Sequence, residues 1–150
     1  MPFMHRRKLI KAIDPDKIKE AIRAAEKQTS GEIRVSITRF FWGKLRPVAE
    51  KAFTRLGMTN TKQRNGILFF LVPSRRRFVV LGDEGIHAKV GRDFWEHLAA
   101  MMSAEFRKGR FQEGLIKGIE EAGEHLAAHF PYDPLTDKNE LPDDVDFQRR

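Results

Sequence analysis

Arg64–Ile86 reads RNGILFFLVPSRRRFVVLGDEGI, two apolar runs around a polar tip. The runs Ile67–Val72 and Phe78–Leu81 are β-branched and aromatic, and turn residues bound them. Segments of that length and composition read as strands joined in a hairpin. Hairpin strands are antiparallel, so the two ends of the segment return to one place. Arg64-Asn65-Gly66 should therefore lie beside Gly82-Asp83-Glu84-Gly85, and the arginines of the Pro73–Arg77 tip should lie at the opposite end.

Working outward, the pattern upstream predicts a parallel partner for the first hairpin strand. In Glu32–Thr38 the apolar residues Ile33, Val35 and Ile37 alternate with Glu32, Arg34, Ser36 and Thr38, which is the period of a strand with one more polar face, near a sheet edge. A helix beginning near Pro47 follows, with Val48, Ala49, Ala52, Phe53 and Leu56 on one face and Gly57 placed to cap its C-terminus. Strand, helix and strand in this order predict a crossover with the two strands parallel. Gly66–Val72 is apolar throughout, which suits a central strand covered on both faces. The expected fold class is α/β, a three-layer α/β/α sandwich. Its mixed sheet combines a parallel crossover pair with an antiparallel hairpin, and helices cover both faces.

Three further helices complete the reading. Asp14-Pro15 opens the first, where Asp caps and proline suits the first turn. Ile18, Ala21, Ile22 and Ala25 then fall at helical spacing. The second spans Arg92–Arg107, with Asp93 expected as its cap and Phe94, Trp95, Leu98, Met101, Met102 and Phe106 inward. The third spans Phe111–His129, and its Gly114, Gly118 and Gly123 each cost about 1 kcal/mol against alanine. Close backbone approach to the sheet would explain them. Residues 1–130 form the expected α/β domain, and 131–150 an extended acidic tail. The formal charge of +7 divides unevenly: residues 1–130 carry 25 basic against 15 acidic residues, while the tail is net acidic. A basic body suits anionic partners, and it suits equally a charged surface that keeps a protein dissolved. No apolar stretch approaches the roughly 20 residues of a membrane span. The N-terminus has no signal-peptide pattern, so the cytoplasm is the expected compartment. With no cysteine, disulfides, thiolate-bound zinc and thiol catalysis are excluded.

The topology gathers chemistry at two ends of the sheet. At one end Glu32, Asp83, Glu84 and Asn65 offer hard oxygen ligands, the set that Ca²⁺ or Mg²⁺ accepts, and Arg64 is placed to hold the carboxylates. The competing reading makes Gly-Asp-Glu-Gly a turn into the next helix, with Glu32 paired to Arg64. At the other end Phe40, Phe41 and Trp42 meet Arg75, Arg76 and Arg77, an interaction surface for a membrane or an acidic protein, or a tip protected from edge pairing by charge. No nucleic-acid-binding pattern accompanies it, so nucleic acid is not the expected partner. His125 and His129 stand one helical turn apart, but EHLAAH lacks the glutamate position of the HExxH zinc motif, and the helix dipole also favours histidines there. Nucleophile-elbow, phosphate-loop and dinucleotide motifs are absent.

Several segments together resemble the TPM domain, formerly a domain of unknown function. They are Thr29-Ser30-Gly31-Glu32-Ile33-Arg34-Val35, Phe53…Leu56-Gly57-Met58…Thr61, Arg64-Asn65-Gly66-Ile67-Leu68 and Gly82-Asp83-Glu84-Gly85-Ile86. Phe94-Trp95, the Gly109…Gly114…Gly118 spacing and the tail Phe130-Pro131-Tyr132…Asn139-Glu140-Leu141-Pro142-Asp143 resemble its short, soluble bacterial branch. The resemblance implies an α/β/α sandwich and association with calcium or magnesium. It also implies a membrane-anchored relative or another protein as partner. Acid phosphatase activity, proposed for longer relatives, raises the enzymatic alternative of metal-dependent phosphate-ester hydrolysis at the acidic end, with Mg²⁺ neutralising phosphate and activating water. The chain departs from those relatives in lacking an aspartate-rich opening strand and a Gly-rich tail. No family catalytic residue maps onto a position of this sequence.

Overall fold

The computed structural model describes residues 13–38, 43–72, 77–134 and 145–148. The architecture is organised around β2, Gly66–Val72, in which all seven residues are buried. A strand so apolar is stable only with both faces covered, and burying a side chain such as Phe69 or Phe70 contributes about 1.5–3 kcal/mol. On one side β2 pairs in parallel with β1, Glu32–Thr38, in the register Glu32↔Gly66 to Ile37↔Leu71. On the other it pairs antiparallel with β3, Arg77–Gly82, from Ile67↔Gly82 to Val72↔Arg77. The crossover and the hairpin are thus both present. The predicted tip shortens, because Arg77 is the first residue of β3.

Alternation along the strands sorts the core into two clusters. Ile33, Val35, Ile37, Ile67, Phe69 and Leu71 face a helical layer made of α1 (Pro15–Glu26), α4 (Arg92–Arg107) and α5 (Phe111–His129). Leu68, Phe70, Val72 and Leu81 face α2 (Leu45–Arg55) through Leu45, Ala49, Ala52 and Phe53. The result is the expected α/β/α layering with a mixed sheet. Asp14 caps α1 by accepting the Asp16 N–H on Oδ1 at 3.0 Å. Gly57, at φ +69°, closes α2: its N–H bonds Thr54 O at 3.0 Å and that of Met58 bonds Phe53 O at 3.0 Å. This paired pattern needs a left-handed residue just past the helix, which glycine supplies.

Four local expectations change. α2 starts at Leu45, two residues before Pro47. The cap of α4 is Gly91; Asp93 lies inside the first turn, where its charge still suits the helix dipole. A short α3, Glu84–His87, separates the hairpin from α4. Finally, β1 does not lie at the edge, because Asp146–Gln148 of the tail forms β4 and pairs in parallel with Ser36–Thr38, giving the order β3-β2-β1-β4. The polar face of β1 is covered, with Glu32, Ser36 and Thr38 each no more than 3% exposed. Asp146 explains part of this: it accepts Ser36 Oγ at 2.8 Å and Arg55 Nη2 at 2.9 Å. A three-residue strand with one aromatic carries too little periodicity to be read from sequence.

The glycines of α5 also have a different cause from the one expected. A Cβ at Gly114 would lie 2.7 Å from the Phe106 ring, one at Gly118 2.7 Å from Met102 Sδ, and one at Gly123 2.7 Å from Ala25 Cβ. They let α5 sit close against its neighbouring helices, and Gly118 also approaches the sheet, at Phe69. Gly123→Val should destabilise the fold by about 1–3 kcal/mol through overpacking against α1, measured by chemical denaturation.

Where α4 meets α5, buried Glu105 bonds Lys117 Nζ at 3.0 Å, with Arg110 at 3.9 Å. The Lys117 hydrogen bond, and then the nearby positive charges, hold its carboxyl below the ordinary value of 4.5. Because the folded value is the lower one, its contribution is present above pH 4.5 and is lost as pH falls through that lower value. Between about pH 5 and pH 3, the melting temperature of wild type should fall more steeply than that of Glu105→Gln.

Candidate functional site

Gly66 sits beside Glu32 in one register and Ile67 opposite Gly82 in the other, so the residues just outside these pairs must meet. Three backbone bonds close the rim: Glu32 N–H to Asn65 O at 3.3 Å, Asp83 N–H to Gly66 O at 2.9 Å, and Gly85 N–H to Arg64 O at 2.9 Å. The fit is tight enough to require glycine at 85, where a Cβ would stand 2.1 Å from Gln63 O and 2.6 Å from Arg64 O.

Arg64 is the centre of the rim. Its Nε donates to Asp83 Oδ2 at 2.6 Å and its Nη2 to Asp83 Oδ1 at 2.9 Å, the bidentate geometry that makes Arg–carboxylate pairs strong. Its Nη1 lies 3.2 Å from Glu84 Oε1. Asp83 is 6% exposed, so its charge is compensated mainly by protein groups. Hydrogen bonding to Asp83, reinforced by the charges of Asp83 and Glu84, raises the guanidinium above its ordinary value. Asp83 Oδ1 also accepts the Glu84 N–H at 2.8 Å and so caps α3. The turn reading of Gly-Asp-Glu-Gly therefore holds for Asp83, which caps the next helix while it is paired with Arg64. The guanidinium of Arg64 goes to Asp83 and Glu84.

Arg64 reaches this position at a cost. Its φ is +52°, the left-handed region, which a non-glycine residue occupies for about 1–3 kcal/mol. That conformation turns the Arg64 carbonyl onto Gly85 while its side chain takes Asp83. A side chain kept in backbone space that favours glycine marks the position as one where the side chain matters.

Asn65 is 1% exposed, and its N–H bonds Thr61 Oγ1 at 3.2 Å. Its Nδ2 donates to Ser30 Oγ at 3.3 Å, an oxygen that also accepts Gln63 Nε2 at 3.2 Å. Its Oδ1 is buried and has no hydrogen-bond partner. Ser30, Thr61 and Gln63, absent from the candidate site read in the sequence, are what orient Asn65. Short hydroxyl and amide side chains in the two turns were the available signal. Glu32 is buried at the same rim, 3% exposed, with its backbone tied to Asn65.

In kind, these oxygens suit a hard divalent cation, and an orphaned buried amide oxygen is the sort of group such an ion satisfies. In charge, Asp83 is already balanced by Arg64. Among the described residues no group of three or more His, Cys, Asp or Glu stands ready to hold a metal. A cation would find its ligands here only by exchanging with the guanidinium. At the opposite end of the sheet, Arg77 is exposed at the start of β3, while Phe40, Phe41, Trp42, Arg75 and Arg76 lie outside the described residues. No helix among the described residues is long and apolar enough to cross a membrane.

The comparisons with known proteins agree with this fold. Curated proteins give no match. The BA42 protein of the psychrophilic bacterium Bizionia argentinensis, whose structure was determined by NMR, is 39% identical. The likeness covers 89% of this chain and 92% of that one, with a TM-score of 0.85. An N-terminal domain of a protein from P. gingivalis is 21% identical over 79% of this chain and 78% of that one, with a TM-score of 0.64. The N-terminal domain of a Corynebacterium glutamicum protein, cg2496, is 14% identical over 76% and 74%, with a TM-score of 0.59. These last two share the fold alone. The family model of the TPM domain matches residues 4–125, most of the chain. The chain belongs to the TPM domain family.

Proposed function

We propose that this chain is a cation-binding module rather than a catalyst, taking Ca²⁺ or Mg²⁺ at the Arg64 rim by exchange with the Arg64 guanidinium. The observation that carries the reading is Asn65 Oδ1, a buried oxygen without a partner, on the residue that follows the arginine holding two carboxylates. Asp83, Glu84 and Asn65 would supply oxygen, and Glu32 charge from within the rim. Arg64 plays the part of a built-in counter-cation: it keeps the carboxylates together when no metal is bound, and it competes when one is. Competition of this kind makes binding weak and dependent on ion concentration, as suits a responsive module rather than a permanent structural ion. Metal-dependent phosphate-ester hydrolysis at the same place is the enzymatic alternative; with both oxygens of Asp83 held by Arg64, it would need the same exchange before a metal could activate water there.

Two substitutions separate exchange from simple support. Asp83→Asn retains a helix-capping side chain but loses the charge, and it should abolish calcium binding measured by calorimetry. Arg64→Gln removes the competitor, so it should bind calcium more tightly than wild type. Without calcium the same variant should be less stable than wild type, because it leaves the Asp83 carboxylate underpaired. Saturating calcium should then restore much of that loss. Calcium binding unchanged in Asp83→Asn, or weakened in Arg64→Gln, would rule the exchange out.

A further inference from the structure

The C-terminal turn of α5 carries two histidines, side chains of a chemistry different from that of the rim's oxygens. His125 and His129 are both exposed and stand one turn apart, so their rings rise from the same face of the helix. Their ring centroids are 6.2 Å apart with planes inclined at 48°. His125 is not a free rotor: it stacks on Phe94 of α4 at 4.1 Å with planes 29° apart, and Phe94 is itself only 7% exposed. One imidazole is therefore anchored against the core, and the other is within reach of it.

We propose that His125 and His129 form a binding site for a borderline transition-metal ion, with Zn²⁺ as the representative. A metal bound at about 2.0–2.1 Å to one nitrogen of each ring would lie about 3.2 Å from each centroid, so rings up to about 6.4 Å apart can share it. The observed spacing falls inside that limit. Tetrahedral coordination would bring the centroids to about 5.2 Å, a closure of about 1 Å that exposed His129 can make by a change of side-chain torsion. Water completes the coordination, and no glutamate occupies the HExxH position, so the site holds an ion without activating a hydrolytic water. Imidazole selects zinc, copper and nickel over calcium and magnesium, whereas the all-oxygen rim has the opposite preference. The two sites should thus be filled independently. Phe94 acts here as a positioning residue for His125 and does not touch the metal.

The test uses the whole chain and zinc chloride, with histidine ring signals followed by NMR. Zinc should shift or broaden the rings of His125 and His129 and leave those of His5, His87 and His97 in place. Excess calcium should not reverse this. His125→Ala and His129→Gln, both at exposed positions, should each weaken zinc binding at least about tenfold, since loss of even a group that only orients a ligand commonly costs that much. His129→Gln leaves the Phe94 stack intact and so separates ligand loss from loosening of the helix. Zinc shifts confined to other histidines, or affinity unchanged in both variants, would overturn the proposal. Displacement of zinc by calcium would also overturn it, because both ions would then occupy the oxygen rim.

Discussion

The register of β2 against its two neighbours is the constraint on which the rest of the molecule depends. Parallel pairing puts Gly66 beside Glu32, and antiparallel pairing puts Gly82 opposite Ile67. With those two pairs set, the loop before β2 and the turn after β3 have no alternative but to pack on one another. A one-residue slip would turn Phe69 and Phe70 to the wrong faces, so the apolar pattern of the strand also holds the polar rim in register. Core packing and site geometry are in this sense one piece of information.

The rim then shows how a polar cluster survives at the end of an apolar sheet. Asp83 is nearly buried, and a lone buried carboxylate would be costly. The chain resolves this locally, placing Arg64 in a left-handed conformation so that one residue gives its carbonyl to Gly85 and its side chain to Asp83. Gly85 has no side chain because the loop's carbonyls come too close to allow one. Asn65 is held by Thr61 and Ser30, yet its Oδ1 is left unsatisfied. Strain at Arg64 and an orphaned oxygen at Asn65 are adjacent departures from ordinary local preference, and both sit where the proposed ion would bind.

Much of this was legible in the sequence because the relevant signals are short-range and strong. The all-apolar run Gly66–Val72 named the central strand, the alternation in Glu32–Thr38 named its parallel partner, and a hairpin forces its ends together. What was not legible depended on contacts that leave no periodic trace. The strand Asp146–Gln148 is three residues long and owes its position to Ser36 and Arg55, far away in the chain. The α5 glycines answer to Met102, Phe106 and Ala25, side chains whose proximity only helix packing sets. Asn65 could be named as a candidate, but its unsatisfied oxygen could not be foreseen, since that depends on which neighbouring hydroxyls reach its amide. The meeting of Arg64 with Asp83 and Glu84 followed from topology, whereas the bidentate hold of Arg64 on Asp83 required its unusual backbone angle.

The central claim is that the Arg64 guanidinium and a divalent cation compete for the same carboxylate. The most direct measurement is hydrogen exchange and chemical shift at Arg64 Nε–H, followed by NMR as calcium is added. The account predicts a slowly exchanging, hydrogen-bonded Nε–H without calcium and a fast-exchanging, solvent-like one at saturation. A guanidinium signal that stays protected while calcium binds would contradict it.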